Sequence, residues 1–127
     1  MTAKIVIVDD EVHIRSLIEQ SLEDLEEDHG VEIFTAGNGA DGLEIVTRER
    51  PRLVLLDVMM PKMNGYDVCE AIRRNPALCD VKVILLTAKG QEIDRTRGLS
   101  SGALQYITKP FDPDELLEAA KAILELE

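Results

Sequence analysis

RLVLLDVMMPKMNG, Arg52 to Gly65, is the stretch that decides the fold of this chain. Leu53 to Leu56 is an unbroken apolar run rich in branched side chains, the signature of a strand buried on both faces. It stops at Asp57. A carboxylate directly after such a run is costly inside a core, so it is expected where the strand emerges. In an open parallel sheet, ligands bind at those emerging carboxyl ends. Pro61 and Asn64-Gly65 then force a loop, and Asn64 reads as the cap of a helix carrying Val68, Cys69 and Ile72, closed near Asn75-Pro76.

Working outward, the same grammar repeats. Lys4 to Val8 (KIVIV) is a β-branched run ending in Asp9, Asp10 and Glu11, and Val81 to Leu86 (VKVILL) is another, ending in Thr87-Ala88. Val31 to Ala36 (VEIFTA) alternates more and reads as an edge strand; Ala103 to Ile107 reads as a short last strand leading to Thr108-Lys109-Pro110-Phe111. Between the strands lie amphipathic patterns. The first, through Ile14, Leu17, Ile18, Leu22 and Leu25, is expected to run as one helix to about Asp28, with Gly30 past its end and Asp10 as an N-cap. Others open at Asn38-Gly39 and run to about Arg50, span about Gln91 to Leu99 with sparse apolar anchors, and start at Asp112-Pro113 and continue to the terminus.

Five strands alternating with five helices predict an α/β fold, a doubly wound parallel sheet with right-handed crossovers, formed as one domain over residues 1–127. A chain of this length buries roughly two thirds of its unfolded surface. The formal charge of −11 argues against a nucleic-acid surface, and no apolar run approaches the about 20 residues of a membrane span. Cys69 and Cys79 form no CxxC motif and the two histidines, His13 and His29, are isolated, which argues against a zinc site. Reduced cysteines fit a cytoplasmic protein.

In a parallel sheet all the strand ends just named share one edge. Asp9, Asp10, Asp57, Thr87 and Lys109 are therefore expected in a single cleft. Adjacent carboxylates repel unless a cation offsets them. The set suits phosphoryl transfer to a carboxylate: Asp57 as nucleophile, Mg²⁺ on Asp10 and Asp57 with Asp9 direct or through water, Lys109 and Thr87 on phosphoryl oxygens. The plainer reading is that Lys109 merely pairs with Asp57 and Thr87 bonds a loop carbonyl.

Four motifs in order, IVDDE (7–11), LLDVMMPKMNG (55–65), LLTA (85–88) and YITKPF (106–111), resemble the receiver domain of two-component response regulators, chemotaxis-regulator-like, over the whole chain. The resemblance implies a flavodoxin-like strand order 2-1-3-4-5 and phosphorylation of Asp57 by a histidine-kinase phosphohistidine, a phosphotransfer protein or a small phosphodonor. It implies that the backbone carbonyl of Met59 joins Asp9, Asp10 and Asp57 around the metal. Thr87 and Tyr106 would form a switch pair acting on a face made by Gln91–Leu99, the last strand and the last helix, read by a downstream target or an output domain. Met59 and Lys89 occupy positions tied to phosphoryl lifetime, and the Lys109-Pro110 bond would be cis. The chain departs from the common pattern at Leu104-Gln105, where many relatives are acidic. Its last helix lacks the basic residues of winged-helix regulators, so a monomer or weak phosphorylation-dependent dimer is expected. Two other classes compete. A phosphohydrolase of the dehalogenase type would carry an aspartate at the position of Met59, and a binding-only module would not need the intact acidic, hydroxyl and ammonium set.

Overall fold

The structure is a computed structural model that describes residues 3–88 and 102–126. Five parallel strands form one sheet: β1 (Lys4–Val8), β2 (Glu32–Ala36), β3 (Leu53–Asp57), β4 (Lys82–Ala88) and β5 (Gln105–Lys109), in the order β2-β1-β3-β4-β5. The helices are α1 (Val12–Ser21), α2 (Glu23–His29), α3 (Gly39–Glu49), α4 (Gly65–Arg74) and α5 (Pro113–Leu124), with a 3₁₀ turn at Pro76–Leu78. The helix expected over Gln91–Leu99 lies outside the described residues.

Side chains alternate across a strand, and here both faces are covered, which explains the continuous apolar runs. Ile5, Ile7, Leu53, Leu55, Ile84 and Leu86 point to one side, against Ile18 of α1, Leu25 of α2 and Leu116 and Ala120 of α5. Val6, Val8, Val54, Leu56, Val83 and Leu85 point to the other, against Val46 of α3 and Val68 and Ile72 of α4. β2 is an edge strand, with Ile33 and Phe34 only partly buried.

The capping asparagines and aspartate behave as their chemistry dictates. Asn38 accepts from Asp41 N–H, Asn64 forms a reciprocal capping box with Asp67, and Asp112 accepts from Asp114 N–H. Several expectations need correction. The first helical region is two helices broken at Leu22 (φ −105°, ψ 8°), next to Ser21, whose hydroxyl donates to the Leu17 carbonyl at 2.8 Å. Such back-bonding bends helices, and Leu22 at the break and Leu25 after it are both fully buried. Asp10 is not the N-cap of α1; Glu11 holds that position without a side-chain bond, and its N–H donates to Asp9 Oδ1 at 2.9 Å.

β5 starts two residues later than expected and extends through Thr108 and Lys109, while β4 runs through Thr87 and Ala88. Backbone pairing is indifferent to side-chain polarity, so polar residues at a strand end stay in the ladder, as Thr87 does opposite Thr108. α5 stops at Leu124, where Glu125 turns left-handed (φ 58°).

Candidate functional site

β1 connects to β2 on one side and lies against β3 on the other, so the winding reverses between β1 and β3. That crevice is where a doubly wound sheet binds ligands. Asp9 and Asp10 leave β1 on one side of it, and Asp57 ends β3 on the other. Gly65 makes the turn after β3 possible. A Cβ there would lie 2.5 Å from the Asp57 carbonyl oxygen and 2.9 Å from Val58 Cα, so α4 can start this close only from glycine. The Gly65 N–H in turn donates to the Val58 carbonyl at 2.9 Å.

The expected residues do converge. One carboxylate oxygen from each of Asp9, Asp10 and Asp57 lies within 4.8 Å of the others. Asp9 and Asp57 are buried, at 0% and 4% exposure, whereas Asp10 is exposed. Lys109, the last residue of β5, reaches back over the sheet edge and divides its ammonium between the two buried acids. It donates to Asp9 Oδ2 at 2.8 Å and stands 3.3 Å from Asp57 Oδ1. The plain pairing with Asp57 alone therefore does not describe it. Met59 N–H donates to Asp57 Oδ1 at 3.3 Å, while the Met59 side chain is 60% exposed beside the site. Thr87, on β4 between the acids and Lys109, buries its hydroxyl with no hydrogen-bond partner among the described residues. Tyr106 is half-buried on β5, in register with Leu85, and packs on the core of the α3 and α4 side. Lys89 lies outside the described residues. The Lys109-Pro110 bond is cis, as the resemblance implies.

Burial of Asp57, reinforced by the charge of Asp9, pushes its carboxyl up to about 6; Lys109 and the Met59 N–H oppose this without prevailing. Burial alone would lower the Lys109 ammonium, but the hydrogen bond to Asp9 and the charges of both acids outweigh it, and the net direction is up. Lys109 is thus a fixed cation. Three carboxylates and one ammonium leave a deficit that a single dication would cancel. The donor set is all hard oxygen, which fits Mg²⁺ held by carboxylates and completed by water and phosphate oxygens.

One residue escaped the sequence reading. Arg15, on the first turns of α1, donates from Nη1 to the Asp9 backbone carbonyl at 2.6 Å. An arginine one turn into a helix is ordinarily a solvated residue, and no spacing rule marks it.

A family model described as "Response regulator receiver domain" matches residues 5–121. The chain belongs to this family. Among curated relatives of the receiver, "Probable transcriptional regulator ycf27" of Porphyra purpurea is 46% identical over 95% of the chain. The alkaline phosphatase synthesis transcriptional regulatory protein PhoP of Bacillus subtilis is 40% identical over 98%. The receiver spans about half the length of these relatives, 47% and 49% respectively. A solved response regulator receiver domain protein (CheY-like) from Methanospirillum hungatei JF-1 superposes with a TM-score of 0.81 at 32% identity, covering 97% of this chain and 94% of that one.

Proposed function

We propose that residues 1–127 act as one phosphoacceptor receiver domain, in which Asp57 takes a phosphoryl group from the phosphohistidine of a sensor kinase or phosphotransfer protein. The observation that carries this is the placement of the buried Asp57 carboxylate beside the Lys109 ammonium, at the strand ends where Thr87 buries a hydroxyl that has no partner among the described residues. An oxygen of Asp57 attacks phosphorus, the phosphorus–nitrogen bond breaks, and its electron pair leaves with the imidazole nitrogen. Lys109 moves its ammonium to one phosphoryl oxygen, and Thr87 donates its hydroxyl to another. Asp9, Asp10, Asp57 and the backbone carbonyl of Met59 would hold Mg²⁺, which when bound neutralises charge on the transferring group. Positioning and electrostatics suffice for such a transfer.

Engagement of Thr87 biases Tyr106, and with it the face of Gln91–Leu99, β5 and α5, toward a downstream protein or an output domain. The domain is a signalling element, a monomer or weak phosphorylation-dependent dimer, working in the cytoplasm without direct contact to nucleic acid. Its self-catalysed turnover is confined to phosphorylation and hydrolysis of the same aspartyl phosphate.

The test is incubation with Mg²⁺ and acetyl phosphate or phosphoramidate, followed by intact-mass measurement. One acid-stable, base-labile phosphoryl group is expected on Asp57. Stoichiometric labelling that persists after Asp57→Asn would sink the assignment.

Lifetime supplies a second test. Hydrolysis needs a water in line with the Asp57 oxygen, and the apolar Met59 side chain can cover that approach but cannot orient a water. Lys89 is proposed to hold a phosphoryl oxygen. Exchanging both residues, Met59→Asn with Lys89→Glu, is expected to shorten the half-life several-fold, and Lys89→Ala to do less. Equal or slower decay of the double variant in a quench-and-count assay would refute this role.

A further inference from the structure

Asp9 is held at every polar atom. Its N–H donates to the Ala36 carbonyl at 3.2 Å, Oδ1 accepts from Glu11 N–H at 2.9 Å, and Oδ2 accepts from Lys109 at 2.8 Å. Its carbonyl, which leaves the sheet ladder at this point, is taken by Arg15 Nη1 at 2.6 Å. Asp10 differs. It is exposed, and its carboxylate makes no hydrogen bond among the described residues. Its position in the acidic cluster depends on the backbone that delivers it.

A peptide unit is planar, so fixing the Asp9 carbonyl also fixes the direction in which the chain departs to the Asp10 Cα. Arg15 supplies that constraint, since its guanidinium takes the Asp9 carbonyl at 2.6 Å. The guanidinium is itself seated against the loop after β2. A Cβ added to Gly37 would lie 3.1 Å from Nη1 and 3.7 Å from Cζ, so the absence of a side chain at 37 leaves the space that Arg15 fills. One side chain thereby ties the ends of β1 and β2 together at the acidic cluster.

We propose that Arg15 is a positioning residue for the cation site: by clamping the Asp9 carbonyl against the Gly37 loop, it aims the Asp10 carboxylate at the metal. The inference rests on the Mg²⁺ reading of the three aspartates. It has a distinctive sign. Arg15 carries positive charge, so on Coulombic grounds alone its removal tightens binding of a dication. A positioning role requires the opposite. Loss of partners that orient metal ligands typically weakens affinity by about 10–100-fold, and for the single flexible ligand Asp10 the low end, about tenfold, is expected of Arg15→Met.

The experiment is calorimetric titration of the full chain with MgCl₂, paired with the Mg²⁺ dependence of labelling by acetyl phosphate. Arg15→Met is expected to weaken Mg²⁺ binding about tenfold and to raise the half-saturating Mg²⁺ for labelling in step, with the rate at saturation retained. Arg15→Lys, which keeps the charge and one donor, is expected to fall between the two. Gly37→Leu, which crowds the guanidinium off the carbonyl, is expected to weaken binding in the unaltered chain and to add nothing in the Arg15→Met background. Equal or tighter binding by Arg15→Met, or a Gly37→Leu effect of the same size in both backgrounds, would overturn the proposal. If the unaltered chain took up no Mg²⁺, the metal reading itself would fall along with it.

Discussion

Replacing Lys109 with methionine is expected to destabilise the metal-free protein by about 3 kcal/mol near neutral pH, measured by chemical denaturation, because it strands two buried carboxylates. Lys109 is the cation that touches both Asp9, at 2.8 Å, and Asp57, at 3.3 Å, and Asp9 is fully buried. Methionine keeps most of the length and apolar stem, so packing loss is small and the charge effect dominates. The sign with pH follows from the direction of the shift. The Lys109 pKa is raised, so its contribution is present below the ordinary lysine value and disappears only as pH climbs through its folded value. Across neutral pH Lys109 therefore stays charged in the parent, and its contribution is what the variant loses.

The deficit narrows on acidification, as the stranded acids take up protons, and on adding Mg²⁺, which supplies the missing charge by mass action. Adding Asp9→Asn to the variant should recover more than half of the loss, since only one buried carboxylate then lacks a partner. A Lys109→Met protein as stable as the parent at every pH would show that the three charges are hydrated rather than buried together. Labelling by acetyl phosphate should also fall steeply, since the Lys109 ammonium no longer meets the transferred group.

How much of this was legible in the sequence follows from which physical signals are local. The strands were legible because a two-sided sheet turns each buried strand into an unbroken run, as in Leu53–Leu56. The caps at Asn38, Asn64 and Asp112 were legible because capping is a bond between near neighbours. The convergence of Asp9, Asp10, Asp57, Thr87 and Lys109 followed from topology alone, since parallel strands put all their carboxyl ends on one edge.

What stayed hidden depended on register or on tertiary contact. The division of Lys109 between two acids is set by how β5 pairs with β4, where Lys109 stands opposite Ala88, and by the burial of a residue one hundred positions away. The break at Leu22 continues the same 3.6-residue pattern on both sides, so periodicity could not reveal it. Leu104 read as strand because it is apolar, yet it precedes the ladder and is 57% exposed. Arg15 was invisible because its partner is a backbone carbonyl, which every residue offers alike.

Asp57→Asn is expected to abolish labelling and, in metal-free solution, to make the protein more stable than its parent near neutral pH. The second effect follows from the electrostatics already described. The Asp57 carboxyl is raised from 3.8 to about 6, first by burial and then by the charge of Asp9. An acid whose folded pKa lies above its unfolded value favours the folded state while protonated, so that stability is present below about pH 4 and is lost as pH rises through about 6. Above that window the ionised group costs as much as about 3 kcal/mol, at about 1.4 kcal/mol per pKa unit.

Asparagine removes this cost but also gives up the contact with Lys109, so a net gain of about 1–2 kcal/mol near pH 7.5 is the expected result. The gain should shrink toward zero as pH falls toward the ordinary aspartate range, where the parent is protonated as well. Mg²⁺ should reverse the order, because it stabilises the parent by binding and the variant, short of one carboxylate ligand, far less. Denaturation curves for both proteins across acid and neutral pH, with and without Mg²⁺, measure all three trends. An Asp57→Asn protein less stable than the parent in metal-free neutral buffer would mean that Lys109 fully compensates the Asp57 charge, and that the site needs no added cation to hold three aspartates together.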